Sequence, residues 1–149
     1  MKKQKGFTLI ELLVVIAIIG LLSTLAVVAL SSARAKARDA KRVADVKQIQ
    51  SALELYYNDK NGYPVFATPG VVLGGASYDL LCDTSAGFQG DGTGCTVTYM
   101  GQVPPNPTPN GADYTYIGSA STYSIAFNLE GATGGLAAGA HTASPSGIQ

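Results

Sequence analysis

The sequence predicts an α+β protein in which one long N-terminal α-helix packs on a small antiparallel β-sheet. The helix is expected because the first proline is Pro64, and few residues before it interrupt a helix. The sheet is expected because the residues after Pro64 are rich in glycine and contain short runs of branched and aromatic residues. Such runs, separated by turn residues, are typical of short strands.

The first half of the predicted helix is apolar enough to enter a membrane. Residues 12–33 are uncharged and dominated by Leu, Val, Ile and Ala. As a helix with a rise of ~1.5 Å per residue, this run would extend roughly 33 Å and cross the hydrocarbon of a bilayer. Lys2, Lys3 and Lys5 precede it, so the positive-inside rule places the N-terminus in the cytoplasm.

Two other interpretations of the apolar run remain open from its composition. It could be a buried core helix of a soluble protein. It could also be an ordinary secretory signal, because Ala26 to Ser32 mimic a small-residue cleavage site beyond an apolar core.

The residues just before the run carry a more specific motif, which reads Lys5-Gly6-Phe7-Thr8-Leu9-Ile10-Glu11. Over about residues 5–25 the chain resembles type IV pilins and pseudopilins, whose leader ends in glycine before Phe-Thr-Leu-Ile-Glu. The resemblance implies that a membrane prepilin peptidase cleaves between Gly6 and Phe7 and methylates the new Phe7 amine. Cleavage on this side leaves the apolar helix on the mature protein, first as a membrane anchor and later as a filament core.

Glu11 is the single charged residue between positions 7 and 33. A carboxylate at the edge of hydrocarbon costs roughly 2.5–3.5 kcal/mol on insertion scales, so it needs a partner or a function. Cleavage would create the Phe7 amine four residues earlier, on the same helical face. The resemblance implies that Glu11 pairs with the amine of a neighbouring subunit and sets the axial register of assembly. The alternative is a carboxylate that merely reaches the cytoplasmic interface.

The helix is expected to continue to about Asn58. Most members of the family have a proline two-thirds along the apolar helix, but Val28 stands there in this chain, so melting of the helix on assembly is less expected than in the family. Gly20 is the residue that could loosen the helix locally. Apolar residues then recur at three- and four-residue steps and mark one buried face: Val43, Val46, Ile49, Leu53 and Tyr56.

A basic group follows the apolar run, formed by Arg34, Lys36, Arg38, Lys41 and Arg42. We expect these residues to form a solvated collar that contacts the acidic heads of neighbouring subunits. Binding of phospholipid or DNA is the alternative. No Lys or Arg follows Lys60, and this acidic balance argues against a nucleic-acid-binding head.

After the turn residues 58–64, four runs are predicted as strands: Val71–Leu73, Thr96–Met100, Tyr114–Ile117 and Tyr123–Leu129. The proline-rich residues 103–111 loosely resemble a loop of major pseudopilins. The chain is thus divided into a leader 1–6, a transmembrane or filament-core helix 7–33, its amphipathic continuation 34–58, a β-rich head 59–130 and an exposed Gly-, Ala- and Ser-rich tail 131–149.

Cys82 and Cys95 are the two cysteines. The export implied by the resemblance favours a disulfide between them, whereas a cytosolic protein would keep two free thiols. Two thiols and the distant His141 do not make a convincing zinc site. His141 is the single histidine and is expected in the tail, so a histidine-activated nucleophile is not expected and the chain is not predicted to be an enzyme.

No cofactor is expected except calcium, for which loop aspartates are candidate ligands because calcium prefers oxygen donors. The candidates are Asp79, Asp83, Asp91 and Asp113. Their spacing matches no regular calcium loop, so scattered surface aspartates are the alternative.

The sequence therefore predicts a structural subunit of a type IV pilus-like filament that serves adhesion, motility or DNA uptake. The subunit would wait in the inner membrane, in contact with lipid and with its N-terminus in the cytoplasm. A prepilin peptidase would process it, and a separate assembly platform with its ATPase would add it to a homo-oligomeric filament at the cell surface. One alternative is a pseudopilin of a type II secretion system, in a periplasmic filament. Another is a membrane-tethered binding domain that does not polymerise.

Overall fold

A computed structural model describes residues 6–149. Most of the expected leader, including Lys2, Lys3 and Lys5, lies outside the described residues. Within residues 6–149, one α-helix, α1 (Leu9–Lys60), precedes eight β-strands. The chain divides into two units, Met1–Ala35 and Lys36–Gln149, which we describe separately.

The described part of the first unit contains the apolar portion of α1. Its large apolar side chains from Leu9 to Leu30 are all exposed, each by between 47% and 79%. This portion is long and apolar enough to cross a membrane. Helical hydrogen bonding satisfies its backbone, and the helix passes through Gly20 and Val28 without a break. An apolar helix that no other part of the described chain covers indicates membrane anchoring.

In the second unit, the rest of α1 buries one face. Val46, Ile49, Leu53 and Tyr56 are almost fully buried and Val43 is partly buried, so the face predicted from the helical period is confirmed.

The helix ends at Lys60, two residues later than expected. Asn61 follows in the left-handed region, with φ of 53°. Its N–H donates to the Tyr57 carbonyl oxygen at 2.8 Å, as at many helix C-termini.

The strands of the second unit form two antiparallel sheets. Their bounds are β1 (Phe66–Val72), β2 (Leu80–Cys82), β3 (Phe88–Gln89), β4 (Thr98–Met100), β5 (Thr115–Gly118), β6 (Tyr123–Leu129), β7 (Gly139–Ser144) and β8 (Gly147–Ile148). The larger sheet has the order β1-β5-β6-β7-β8 and the smaller one the order β3-β2-β4. The predicted α+β architecture, with one long helix and antiparallel sheets, is therefore confirmed.

Strand β6 lies in the middle of the larger sheet and has the predicted bounds. Its alternate side chains are buried in the core shared with α1: Tyr123, Ile125, Phe127 and Leu129. The half-buried strand predicted from the alternation of apolar and polar residues is thus confirmed.

The prediction of an exposed tail at residues 131–149 is wrong. Strands β7 and β8 lie there, and Ala143 is fully buried opposite Ile125. Gln50 of α1 also donates from Nε2 to the Ser144 carbonyl oxygen at 2.8 Å. The region was not predicted as a strand because its Gly, Ala and Ser residues show no alternation of apolar and polar side chains. The same small side chains allow β7 to pair closely with β6.

A disulfide joins Cys82, at the end of β2, to Cys95 in the loop before β4. The closed loop is held to the helix because the Tyr56 hydroxyl donates to the Thr84 carbonyl oxygen at 3.1 Å. The predicted pairing is therefore the pairing that the structure contains.

We expect the double substitution Cys82→Ser/Cys95→Ser to lower the free energy of unfolding. The cysteines are 13 positions apart, and a loop of similar length that is no longer closed gains conformational freedom in the unfolded chain worth about 3 kcal/mol. Denaturant unfolding of the detergent-solubilised chain measures this loss, and reduction of the native protein serves as the control. An unchanged midpoint in both would contradict a stabilising role.

Candidate functional site

Gly6 and Phe7 lie in an exposed, non-helical segment just before α1. The Phe7 side chain is 86% exposed. A Cβ atom built on Gly6 would meet no described atom within 4 Å. The fold of the described residues therefore does not require glycine at position 6, so a need for glycine there would come from another protein.

Thr8 and Glu11 form a capping box at the start of α1. The Thr8 backbone N–H and hydroxyl both donate to Glu11 Oε2, at 2.8 and 2.7 Å. The Glu11 N–H donates in return to the Thr8 hydroxyl at 3.3 Å. This reciprocal arrangement satisfies donors that a helix N-terminus would otherwise leave without partners.

The capping box leaves the second carboxylate oxygen of Glu11 available. Within residues 6–149, Oε1 accepts no hydrogen bond from another side chain or from the backbone. Thr8 was not among the predicted site residues, although its spacing of three residues before Glu11 is the local pattern of a capping box.

The second unit contains a buried charge cluster, which we call the Arg42 cluster: Arg38, Asp39, Arg42 and Glu130. Arg42 is fully buried, and its Nη1 atom donates to Asp39 Oδ1 and to Glu130 Oε1, both at 2.7 Å. Arg38 donates to both carboxylate oxygens of Glu130, at 2.7 and 2.6 Å. Two cations and two anions thus neutralise one another, with the bidentate geometry that Arg makes with carboxylates.

The Arg42 cluster also fixes two loops to α1. Asp39 accepts the backbone N–H groups of Glu130 and Gly131 at 2.9 and 2.8 Å. Arg42 donates to Asn106 Oδ1 at 2.8 Å, to the Pro107 carbonyl oxygen at 2.8 Å and to the Asn110 carbonyl oxygen.

The expected solvated collar is therefore wrong for two of its five members. Arg38 and Arg42 make intramolecular ion pairs, whereas Arg34, Lys36 and Lys41 are exposed as expected. The partner of both arginines is Glu130, which is 88 positions beyond Arg42, and no local pattern reveals a contact of that range.

The pKa values of Glu130 and Asp45, both in the second unit, are shifted in opposite directions. Hydrogen bonds from Arg38, Asn110 and Arg42 hold the pKa of Glu130 well below its usual range, and the bond from Arg38 is the largest cause. Burial raises the pKa of Asp45, against the effect of a hydrogen bond from the Tyr114 hydroxyl at 3.2 Å. Ionised Glu130 therefore stabilises the fold, whereas ionised Asp45 is disfavoured in it.

The four candidate calcium ligands do not form one site. Asp83 accepts the N–H groups of Thr96 and Val97 at 2.7 and 3.0 Å, and backbone hydrogen bonds lower its pKa. Asp91 accepts the Thr93 N–H at 3.0 Å. In the part of the chain that the structure describes, no three His, Cys, Asp or Glu residues lie close enough to hold a metal ion, so Asp79 and Asp113 are not gathered with them.

His141 lies in β7, opposite Phe127, and not in a loose tail. Its Nδ1 and Nε2 atoms lie 3.0 and 2.8 Å from the carbonyl oxygens of Gln149 and Ala137. The imidazole is thus occupied by backbone partners.

The N-terminal geometry has a counterpart among known families. The family model of the prokaryotic N-terminal methylation motif matches residues 1–27, which include Gly6, Phe7, Thr8 and Glu11. This N-terminal stretch is a prepilin-type segment. No solved structure matches the chain.

Relatives of the chain are type II secretion system core protein G from several bacteria. The protein of Pectobacterium carotovorum subsp. carotovorum is 45% identical over 62 residues, which are 42% of this chain and 40% of that protein. The protein of Escherichia coli (strain K12) is 45% identical over 62 residues, 42% of this chain and 43% of that protein. The chain spans less than half the length of these curated relatives. The chain thus has a prepilin-type N-terminal segment and is homologous to type II secretion system core protein G over the matched 62 residues.

We expect Arg42→Met to destabilise the second unit strongly, because the substitution leaves Asp39 buried without its cation. Breaking a buried ion pair in this way costs about 3–5 kcal/mol. Lys47→Met, at an exposed position of the same helix, should change the free energy of unfolding by at most about 0.5 kcal/mol. Denaturant unfolding of both variants measures the difference, and equal stabilities would mean that the Arg42 cluster is not structural.

We expect the stability to fall in acid because of Glu130. Its folded pKa is lowered, so its stabilising contribution is present above the unfolded value of about 4.3 and is lost as the pH falls below it. Glu130→Gln should be less stable at neutral pH and less sensitive to acid. Asp45→Asn should instead be more stable at neutral pH, since burial raises the pKa of Asp45. Thermal unfolding between neutral and acidic pH tests both predictions. Identical pH profiles for Glu130→Gln and the native protein would contradict the first, and an Asp45→Asn variant that is less stable than the native protein at neutral pH would contradict the second.

Proposed function

We propose that this chain is a structural, non-catalytic subunit of a pilus-like filament, and that the filament is a type II secretion pseudopilus. One observation carries the proposal: the motif from Gly6 to Glu11 directly precedes an apolar helix that the described protein leaves uncovered. The relatives favour the pseudopilin over the surface pilin, because they are type II secretion system core proteins. Adhesion, motility and DNA uptake are accordingly the second choice.

In this proposal the chain is first stored in the inner membrane, with its N-terminus in the cytoplasm. A prepilin peptidase cleaves after Gly6 and methylates the Phe7 amine. The exposed segment at Gly6 and Phe7 supports this step, because a protease needs an extended and accessible substrate. An assembly platform and its ATPase then move the subunit into a periplasmic filament of many copies.

The charges near Phe7 determine the axial register of assembly more than the apolar side chains do. The reason is that lipid and neighbouring helices are similarly apolar surroundings for α1. Moving Leu and Ile side chains from lipid to a helix–helix contact gains little hydrophobic free energy. Glu11 is different, since its carboxylate is costly in hydrocarbon. The second oxygen of Glu11, which the capping box leaves available, would accept a hydrogen bond from the Phe7 amine of a neighbouring subunit. This ion pair would neutralise both charges.

We expect Glu11→Ala to leave cleavage intact and to abolish filament assembly. The change removes the carboxylate that would pair with the amine, but it leaves Gly6 and Phe7 as they are. Asp113→Ala is the matched control, because it removes an exposed carboxylate that belongs to the second unit. Electron microscopy of overexpressed filaments and the size of the processed chain give the two readouts. Normal filaments from Glu11→Ala would contradict the pairing, and a folded, processed native chain that never assembles would favour a membrane-tethered binding domain.

A further inference from the structure

Two side-chain donors converge on the Asn110 carbonyl oxygen in the loop held by the Arg42 cluster. Arg42 donates to it from Nη2, and Asn106 donates from Nδ2 at 3.4 Å. These two donors also hold each other, because Arg42 Nε donates to Asn106 Oδ1 at 2.8 Å. The carbonyl therefore lies in a preorganised pocket of donors, one of which is a cation.

The carbonyl oxygen of Asn110 and the N–H of Gly111 belong to the same peptide group. When the nitrogen loses its proton, the negative charge is shared with that oxygen. Donors already aimed at an oxygen that gains charge stabilise the charged state without reorganisation. Arg42 and Asn106 therefore make the Gly111 N–H easier to deprotonate than that of an ordinary backbone amide, and the deprotonated nitrogen is the attacking form.

Glycine is the residue that fits at position 111. Its φ is +97°, and a Cβ atom there would lie 2.8 Å from Arg42 Nη2. Both Asn110 and Gly111 are exposed. The nitrogen is thus activated by the cluster on one side and is not shielded by a side chain of its own.

We propose that Asn110–Gly111 is a self-modification site at which the Asn110 side-chain amide is converted to a carboxylate. The Gly111 nitrogen attacks Asn110 Cγ and forms the new N–C bond of a cyclic succinimide. The bond from Cγ to Nδ2 breaks, the proton of the Gly111 nitrogen goes to the leaving group, and ammonia departs. Water then opens the ring and leaves an aspartate or an isoaspartate, with no oxidation or reduction.

The chain contains a second Asn-Gly pair, Asn61–Gly62, which provides an internal comparison. Asn61 ends α1, and its own N–H donates to the Tyr57 carbonyl oxygen. In the described part of the chain, no side-chain donor reaches the Asn61 carbonyl oxygen. The two sites share the Asn-Gly dipeptide, and among the described residues the side-chain donors to the asparagine carbonyl oxygen are present at Asn110 but not at Asn61.

Conversion would change the Arg42 cluster itself. Asn110 Nδ2 now donates to Glu130 Oε2 at 2.9 Å, and a carboxylate in that place has no proton to donate. Two anions would then face each other, and the four balanced charges of the cluster would gain an unbalanced one. The fraction of subunits that carry the additional negative charge in the loop at residues 106–111 therefore increases with the time since their synthesis.

The test is peptide mapping by mass spectrometry of the full chain in detergent, incubated at mildly alkaline pH with and without denaturant. The rate at Asn110 divided by the rate at Asn61 should be roughly tenfold higher in the folded than in the unfolded protein, because the donors act only in the fold. Equal ratios in the two states, or faster conversion at Asn61 in the folded chain, would overturn the proposal.

Asn106→Asp separates activation from loop mobility. This variant keeps an oxygen acceptor for Arg42 Nε but removes the Nδ2 donor to the Asn110 carbonyl oxygen. We expect slower conversion at Asn110 and an unchanged rate at Asn61, which also reports that the fold persists. Unchanged or faster conversion at Asn110 in Asn106→Asp would overturn the proposed activation.

Discussion

The constraint on which the rest of the molecule depends is that the first part of α1 has apolar side chains that no other residue among 6–149 covers. Each of its large apolar residues is about half exposed or more, and a soluble protein does not keep such a surface in water. Lipid, or in the proposed filament other copies of the helix, would cover it. Because helical hydrogen bonds already satisfy the backbone, the segment is stable in either surrounding. In the proposed function, what distinguishes the two surroundings is the charge at its start, where Glu11 and the amine that cleavage would create lie four residues apart.

Charge is also what organises the second unit. Arg38 and Arg42 are matched by Asp39 and Glu130, so these two residues of the basic group are neutralised within the fold. The cluster fixes the loops at residues 106–111 and 130–131 to the helix. Replacing such a network by apolar residues is often tolerated, whereas removing one member is not. The exposed lysines that remain on this helix, rather than the buried arginines, are the charges that a neighbouring molecule would meet.

The sequence predicts the parts of the fold that local periodicity encodes. The buried face with Val46 and Leu53 follows the helical period, and β6 follows the period of two. Strands β2, β3 and β8 have three residues or fewer, too few to form a pattern, and β7 is recognised only through its pairing with β6. The burial of Arg42 depends on Glu130, which lies far away in the sequence. The capping box of Thr8 with Glu11 could have been predicted from the sequence, because a Thr three residues before a Glu is a local motif.

The N-terminal peptide of the protein in native cells gives the most direct test of a prepilin-type subunit used in a pseudopilus. Membranes and mechanically sheared surface material would be separated, and mass spectrometry would identify the first residue in each fraction. We expect a methylated Phe7 start in the membrane fraction and little of the protein in the sheared material. The same start in abundant sheared filaments would indicate a surface pilin. An intact Met1 start in every fraction would mean that the motif at Gly6 and Phe7 is not used, and it would contradict the filament assignment.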